Sequence, residues 1–381
     1  MCGAVSKIVV TGADSELGKR VVAELAGRPD NLEVVAVAPT TLAGLPPRVR
    51  IAWVDLQTGN LETLFDGVDA VIHLNSVSKP GQTQPRSHNG KTPDMHEPDA
   101  PDAPDSPDMH APDVADVQIV ERVLRAAAIC GVEQVVLMSS ALVYGAANSN
   151  PLPLSEDAPI RPNTDFSWAV ARAEIEKLAD AHKSAHPSAK VAILRPTAVV
   201  TDDDLGQLAR VLHTARLGVV ADGDPPVQYL HITDLVSAVV VAALCAPDGP
   251  LNVAPDGWIP PDALRDLEGP KPRLRVPMWL ARVLAVFRLR YRLAPIPPGV
   301  LPYATHSWVI ANDRLRALGW CPSYSNEEAW VVSHKSGPLD WVPTRRRQEL
   351  ALATAAIGVC SVLTAIGWSL RRFLVVRRAR K

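Results

Sequence analysis

The sequence predicts an α/β fold: a doubly wound parallel sheet with a smaller C-terminal substrate-side lobe and a C-terminal hydrophobic helix. Three observations predict it. Short β-branched runs recur at Lys7–Val10, Leu32–Val37, Val49–Val54, Ala70–Leu74, Gln134–Met138 and Lys190–Leu194, separated by mostly helix-like segments. Such alternation belongs to a parallel sheet covered on both faces. Apolar residues fall at helical spacing over Ala115–Ala128 and Asp165–His182. After Leu251 the pattern loosens into short helices and proline-rich loops.

The first run leads into a turn. Lys7–Val10 reads as a buried strand and Glu16 onward as a helix, so Gly12 and Gly18 fall where the backbone turns sharply and packs closely. Free amides at a helix start face an anion, and nucleotide pyrophosphate binds at such a turn. Ser15 stands where a middle glycine is usual. Its side chain either clashes with the pyrophosphate path or donates a hydrogen bond there.

At 381 residues the chain exceeds the common single-domain length. It divides into a nucleotide-binding domain over residues 1–250, a lobe over 251–343 and a basic-flanked segment over 344–381. Between Pro80 and Pro112 lie eight prolines and five aspartates, with almost nothing large and apolar. Residues 80–113 are therefore expected to form a disordered surface loop. His88, His96 and His110 stand near aspartates in that loop, but flexible ligands without fixed geometry bind poorly, and no metal site is expected.

The net charge of −2 hides an asymmetry, because Arg345–Lys381 carries nine basic residues against Glu349 alone. A basic end on an acidic body points to anionic membrane lipid as a partner and away from nucleic acid, which needs a basic folded face. Five scattered cysteines fit neither a disulfide framework nor zinc spacing, so a reducing compartment is expected. The first ten residues run directly into the strand without a secretory pattern, which places the nucleotide domain in the cytoplasm. Leu350–Leu370 is uncharged over the length of a bilayer-spanning helix. It is read as a membrane anchor holding the chain at the cytoplasmic face of the membrane, the alternative being a helix lying in the interface or packed on a partner. Sending the six basic residues of Arg371–Lys381 across the bilayer opposes the positive-inside tendency unless the segment lies flat or inserts as a tail anchor.

Six segments occur in the order and spacing of one family: Thr11-Gly-Ala-Asp-Ser-Glu-Leu-Gly18, Val54-Asp-Leu56, Val71-Ile-His-Leu74, Val136-Leu-Met-Ser-Ser-Ala-Leu-Val-Tyr-Gly145, Leu194-Arg-Pro196 and His231-Ile-Thr-Asp-Leu235. Over about residues 6–335 the chain resembles the extended short-chain dehydrogenases/reductases, the NAD-dependent epimerase/dehydratase group. The resemblance implies a Rossmann core, with NAD or NADP lying across the strand ends and a small-molecule substrate held by the C-terminal third. It implies cofactor contacts from Thr11, Gly12, Ser15, Leu17 and Gly18 at the turn. Asp55 and Leu56 would flank the adenine, and Leu74 and Asn75 would follow the fourth strand. A homodimer formed through the helices at 115–128 and 165–182 is plausible by the same analogy. His73, inside an apolar run, is read as a core histidine.

The pattern then departs from the family. Its proton-transfer set is a serine, then a tyrosine and a lysine four residues later. Alignment on Val143-Tyr-Gly145 makes Ser140 the serine, and places Trp168 at the tyrosine and Arg172 at the lysine. In the family the lysine lowers the tyrosine pKa and binds ribose hydroxyls. An indole N–H is a donor that does not ionise at accessible pH, so Trp168 cannot exchange that proton. Arg172 could still hold ribose hydroxyls through its fork of donors. Ala38 occupies the end of the second strand, where an acidic residue would grip the adenosine ribose. The 2′-phosphate of NADP would need Lys19, Arg20 or Arg48. Tyr144, Asp157 and Asp165 are the stand-ins for the missing acid, each with an ordinary structural reading.

Two functions follow. One is an NAD(P)-dependent epimerase/dehydratase-type oxidoreductase acting on a sugar-nucleotide or lipid-like hydroxyl or carbonyl at the membrane, with Ser140, Trp168 and Arg172 at the catalytic positions. The other is a catalytically inactive nucleotide sensor or membrane-tethered scaffold.

Overall fold

The computed structural model of the chain describes residues 5–29, 32–39, 42, 44–74, 111–218, 224–269, 279–283, 286 and 298–334. Seven parallel strands form one sheet: β1 (Lys7–Thr11), β2 (Glu33–Ala38), β3 (Arg50–Trp53), β4 (Ala70–His73), β5 (Gln134–Met138), β6 (Lys190–Pro196) and β9 (Gly249–Val253). Their spatial order is β3-β2-β1-β4-β5-β6-β9, which reverses direction between β1 and β4. That reversal opens a crevice at the carboxyl ends of these two strands, where ligands of such sheets sit. The doubly wound parallel sheet read from the sequence is the fold of the chain.

Strand alternation explains the two faces. Ile8 and Val10 of β1 point into one apolar layer, with Val21, Val22 and Leu25 of α1 (Glu16–Gly27) and Leu235, Val239 and Ala242 of α6 (Ile232–Cys245). Val9 points into the other, with Phe65 of α2 (Leu61–Phe65), Val120 and Leu124 of α3 (Ala111–Ile129) and Ile175 and Ala179 of α4 (Ser167–Ala185). Helix α3 begins earlier than its apolar spacing indicates, inside the last residues of the expected loop. The rest of that loop, including His88, His96 and His110, lies outside the described residues. Among the described residues no cluster of potential metal ligands occurs.

A third apolar cluster adds to these two layers. It joins the 3₁₀ turn η1 (Ala141–Tyr144), α4, α5 (Gln207–Gly218) and α7 (Pro261–Glu268) to α8 (Leu301–Thr305) and α10 (Asn326–Ser333). Strands β7 (Ala198–Val200) and β8 (Tyr229–His231) pair in a small separate sheet. The segment at Ser323 and Tyr324 is tied to α6 by fully buried Asp234, whose carboxylate accepts from their amides at 2.8 and 3.0 Å. Leu315 of α9 (Asp313–Ala317) and Trp320 enter the main core.

The membrane expectations require correction. Among the described residues no helix is long and apolar enough to cross a membrane. The most apolar, α6, has 14 residues, against about 20 for a hydrocarbon core, and the 19-residue α3 and α4 carry charges throughout. Leu350–Leu370, on which the hydrophobic helix, the lipid contact and the placement at a membrane face rested, lies outside the described residues. Membrane anchoring, anionic lipid as a partner and a membrane-bound substrate are therefore dropped.

Candidate functional site

The crevice begins at the turn after β1. Gly12 has φ +73°, and a Cβ there would stand 2.0 Å from the Leu74 carbonyl oxygen at the end of β4. A Cβ on Gly18 would stand 2.2 Å from the Gly12 carbonyl oxygen. Both positions therefore require glycine, one for conformation and both for close approach. Ser15 is the N-cap of α1: its Oγ accepts from the Gly18 amide at 2.9 Å and donates to the Gly12 carbonyl at 2.7 Å. Its hydroxyl is thus committed within the turn, where it closes the loop. Helix geometry leaves the Glu16 and Leu17 amides without intrahelical partners, at the positive end of the α1 dipole.

Sequence reasoning passed over one residue here. Asp14 brings a carboxylate into the same turn, and its Oδ1 is buried without a hydrogen-bond partner among the described residues. A negative charge at that place weakens the attraction of the helix start for an anion. The signal was present in the sequence, since the residue lies between the two glycines.

Thr11 sits at the end of β1, with Oγ1 2.7 Å from Nδ1 of His73 on β4. His73 is fully enclosed, and burial, aided by the nearby Arg172 charge, pushes its pKa down to about 4. It is a neutral core histidine at ordinary pH. Asp55 closes a local turn, its carboxylate accepting from the Gln57 amide at 2.8 Å and the Thr58 hydroxyl at 3.0 Å. The Leu56 carbonyl accepts from Arg122 Nε at 3.0 Å. Ala38 is buried at the end of β2 and offers no hydrogen-bonding side chain. Asn75 lies outside the described residues. Of the cations considered for a 2′-phosphate, Arg20 pairs with Glu16 at 2.8 Å and Arg48 donates to the Arg28 carbonyl at 2.9 Å, while Lys19 is exposed on α1.

At the other side of the crevice, Ser140 follows β5 and is buried. Its Oγ accepts from the Leu142 amide at 3.3 Å, capping η1. Trp168, in the first turn of α4, packs half-buried on the apolar cluster that contains Ala141–Tyr144, with its ring 6.2 Å from that of Phe166. One turn further along, the Arg172 guanidinium lies 4.9 Å from the Trp168 ring centre. Its Nη2 donates to Asp116 of α3 at 2.8 Å.

The stand-in acids are engaged elsewhere. The Tyr144 hydroxyl donates to Asn252 Oδ1 at 2.7 Å and accepts from Arg195 Nη1 at 2.6 Å. Burial pushes its pKa up to about 12. Asp165 pairs with Arg282 at 3.0 Å, and Asp157 with Arg314 at 2.5 Å, both on the surface.

Residues 109–254 match the description of the NAD dependent epimerase/dehydratase family. Among curated proteins the chain is 25% identical over 200 residues to the uncharacterized protein Rv0501 of Mycobacterium tuberculosis, covering 52% of this chain and 53% of that protein. The chain thus spans about half the length of the curated relatives it matches. Solved structures with the same fold include MoeE5 in complex with UDP-glucuronic acid and NAD, at 22% identity and TM-score 0.57 over 86% of this chain and 97% of that one. The dTDP-glucose 4,6-dehydratase DesIV of Streptomyces venezuelae, with NAD bound, is 19% identical at TM-score 0.58 over 86% and 95%. The UDP-glucose 4-epimerase of Thermus thermophilus, complexed with NAD, is 20% identical at TM-score 0.56 over 86% and 96%. The matched segment runs from α3 through β9 of the seven-stranded parallel sheet, and over it the chain is similar to the NAD-dependent epimerase/dehydratase family.

Proposed function

We propose that the chain binds a nicotinamide dinucleotide in the crevice between β1 and β4 and has lost the family's tyrosine–lysine proton exchange. One observation carries this reading. The turn from Gly12 to Gly18 has no room for a Cβ at either glycine, while an indole and a guanidinium stand where the phenol and the ammonium belong.

The fit to a dinucleotide divides along its length. At the pyrophosphate the turn is suited, with Thr11 and Gly12 leading the chain in and the Glu16 and Leu17 amides facing outward from the helix start. Leu74 backs the turn, and Asp55 and Leu56 would flank the adenine. At the adenosine ribose Ala38 supplies no carboxylate, which removes a pair of charge-assisted bonds worth about 1.5–3 kcal/mol.

When bound, the cofactor supplies hydride exchange; the protein must move the matching proton. Ser140 keeps a hydroxyl that can donate. Trp168 Nε1 donates without ionising, and the Arg172 guanidinium keeps its protons. Hydride exchange with a hydroxyl or carbonyl substrate is left without its acid and base, so the chain is cofactor-competent and catalytically impaired.

The test is turnover of the full chain with NAD and UDP-glucose, a sugar nucleotide named with NAD for a solved MoeE5 complex. No product above the protein-free control is expected. Trp168→Tyr combined with Arg172→Lys should raise turnover. Ready turnover by the native chain would contradict the loss of proton exchange.

A further inference from the structure

The pair formed by Arg172 and Asp116 determines how far along a dinucleotide this site can reach. The Arg172 side chain is only 5% exposed, although its sequence position is the one whose charge meets ribose hydroxyls in the family. Among its contacts are the Asp116 carboxylate at 2.8 Å and the face of Trp168 at 4.9 Å from the guanidinium carbon. They hold the guanidinium in the α3–α4 interface. A ribose hydroxyl is neutral, so replacing Asp116 by it would exchange a charge-assisted bond for a weaker one and leave a carboxylate behind. Arg172 therefore stays with Asp116 when a nucleotide arrives.

We propose that the nucleotide site recognises the adenosine diphosphate portion of its ligand and gains nothing from the nicotinamide riboside half, with Asp116 as the residue that withholds Arg172. The ligand class is nucleotides whose recognised part ends at the pyrophosphate. This rests on the dinucleotide reading above and narrows it. Contacts from the turn after β1 are common to ADP and NAD, and Ala38 weakens both alike, so neither feature separates the two. The ribose next to the nicotinamide is where the family adds affinity, and here its cationic partner is already engaged within the chain.

Calorimetric titration of the full chain with ADP and with NAD tests this, using the native protein, Arg172→Met and Asp116→Asn. NAD is expected to bind no more than about threefold tighter than ADP, and Arg172→Met should leave both affinities unchanged. Asp116→Asn should tighten NAD by about tenfold, the worth of one charge-assisted hydrogen bond, and leave ADP unchanged. If Asp116→Asn fails to fold, the native and Arg172→Met titrations decide alone. NAD binding tenfold or more tighter than ADP in the native chain overturns the inference, as does an unaltered NAD-to-ADP ratio in folded Asp116→Asn. Both results leave the dinucleotide reading standing. Absence of binding by either nucleotide at millimolar concentration overturns that reading and the inference together.

Discussion

Glu176 and Arg195 form a buried ion pair between α4 and β6, with Arg195 Nε 3.0 Å from one carboxylate oxygen and Nη2 2.5 Å from the other. Ser139 donates to the same carboxylate at 2.5 Å, and Arg195 continues to the Tyr144 hydroxyl, which reaches Asn252. These side chains join the end of β5 to β6 and β9. Glu176→Gln leaves a guanidinium enclosed without its counter-charge, which costs about 3–5 kcal/mol. Urea denaturation should show a loss of that size; a change under about 1 kcal/mol would mean the pair is not buried as described.

His73 makes stability depend on pH. Its pKa falls from 6.5 to about 4 on folding, chiefly through burial and secondarily through the Arg172 charge. Between those values the unfolded chain binds the proton that the folded chain refuses. The neutral form's contribution is complete above pH 6.5, falls as pH drops and is gone below about 4. It amounts to roughly 3 kcal/mol. His73→Gln, which keeps a polar group facing Thr11, should lose this slope between pH 6.5 and 4 in denaturant titrations. Identical slopes for both proteins would refute the assignment.

Asp14 carries its carboxylate in the turn before α1, where a negative charge would oppose a phosphate at the helix start. Removing its charge in Asp14→Asn should tighten NAD by about fivefold at low salt, the equivalent of roughly 1 kcal/mol of Coulomb repulsion near a wet surface. The gain should shrink in 0.5 M salt. Weaker binding would instead make Asp14 a ligand contact.

Ser15 has a structural task that separates from binding. Ser15→Ala should cost about 1 kcal/mol in urea denaturation and Ser15→Gly a few tenths, as expected for an N-cap. Equal costs would argue that something other than the hydroxyl closes the turn.

Much of the sheet was legible because its signals are local. Lys7–Thr11, Gln134–Met138 and Lys190–Pro196 are dense in β-branched or aliphatic residues, and the turn after β1 announces itself within a dozen residues. Strand β9 was not legible: Gly249 and Pro250 weaken any strand reading, and the strand forms because β6 offers it a pairing edge. It spans residue 250, the expected end of the first domain. Spacing puts Trp168 and Arg172 at the expected tyrosine and lysine positions, but it does not show what Arg172 contacts. Its partner Asp116 is 56 residues away on another helix, and only the packing of α3 on α4 joins them. The same holds for Glu176, which looks like one more surface charge on α4 until β6 brings Arg195 beneath it. The uncharged run at 350–370 invited a membrane reading by length alone, a criterion no helix among the described residues satisfies.

On the proposed reading, the turn between β1 and α1 holds a dinucleotide in a chain without the phenol. Fluorescence titration of NADH into the full chain and into Gly12→Val, whose side chain would strike the Leu74 carbonyl, tests it most directly. Saturable binding by the native protein below millimolar NADH, abolished in a Gly12→Val protein that remains folded, is the predicted result. No saturable binding of either NADH or NADPH by the native chain at millimolar concentration would contradict it.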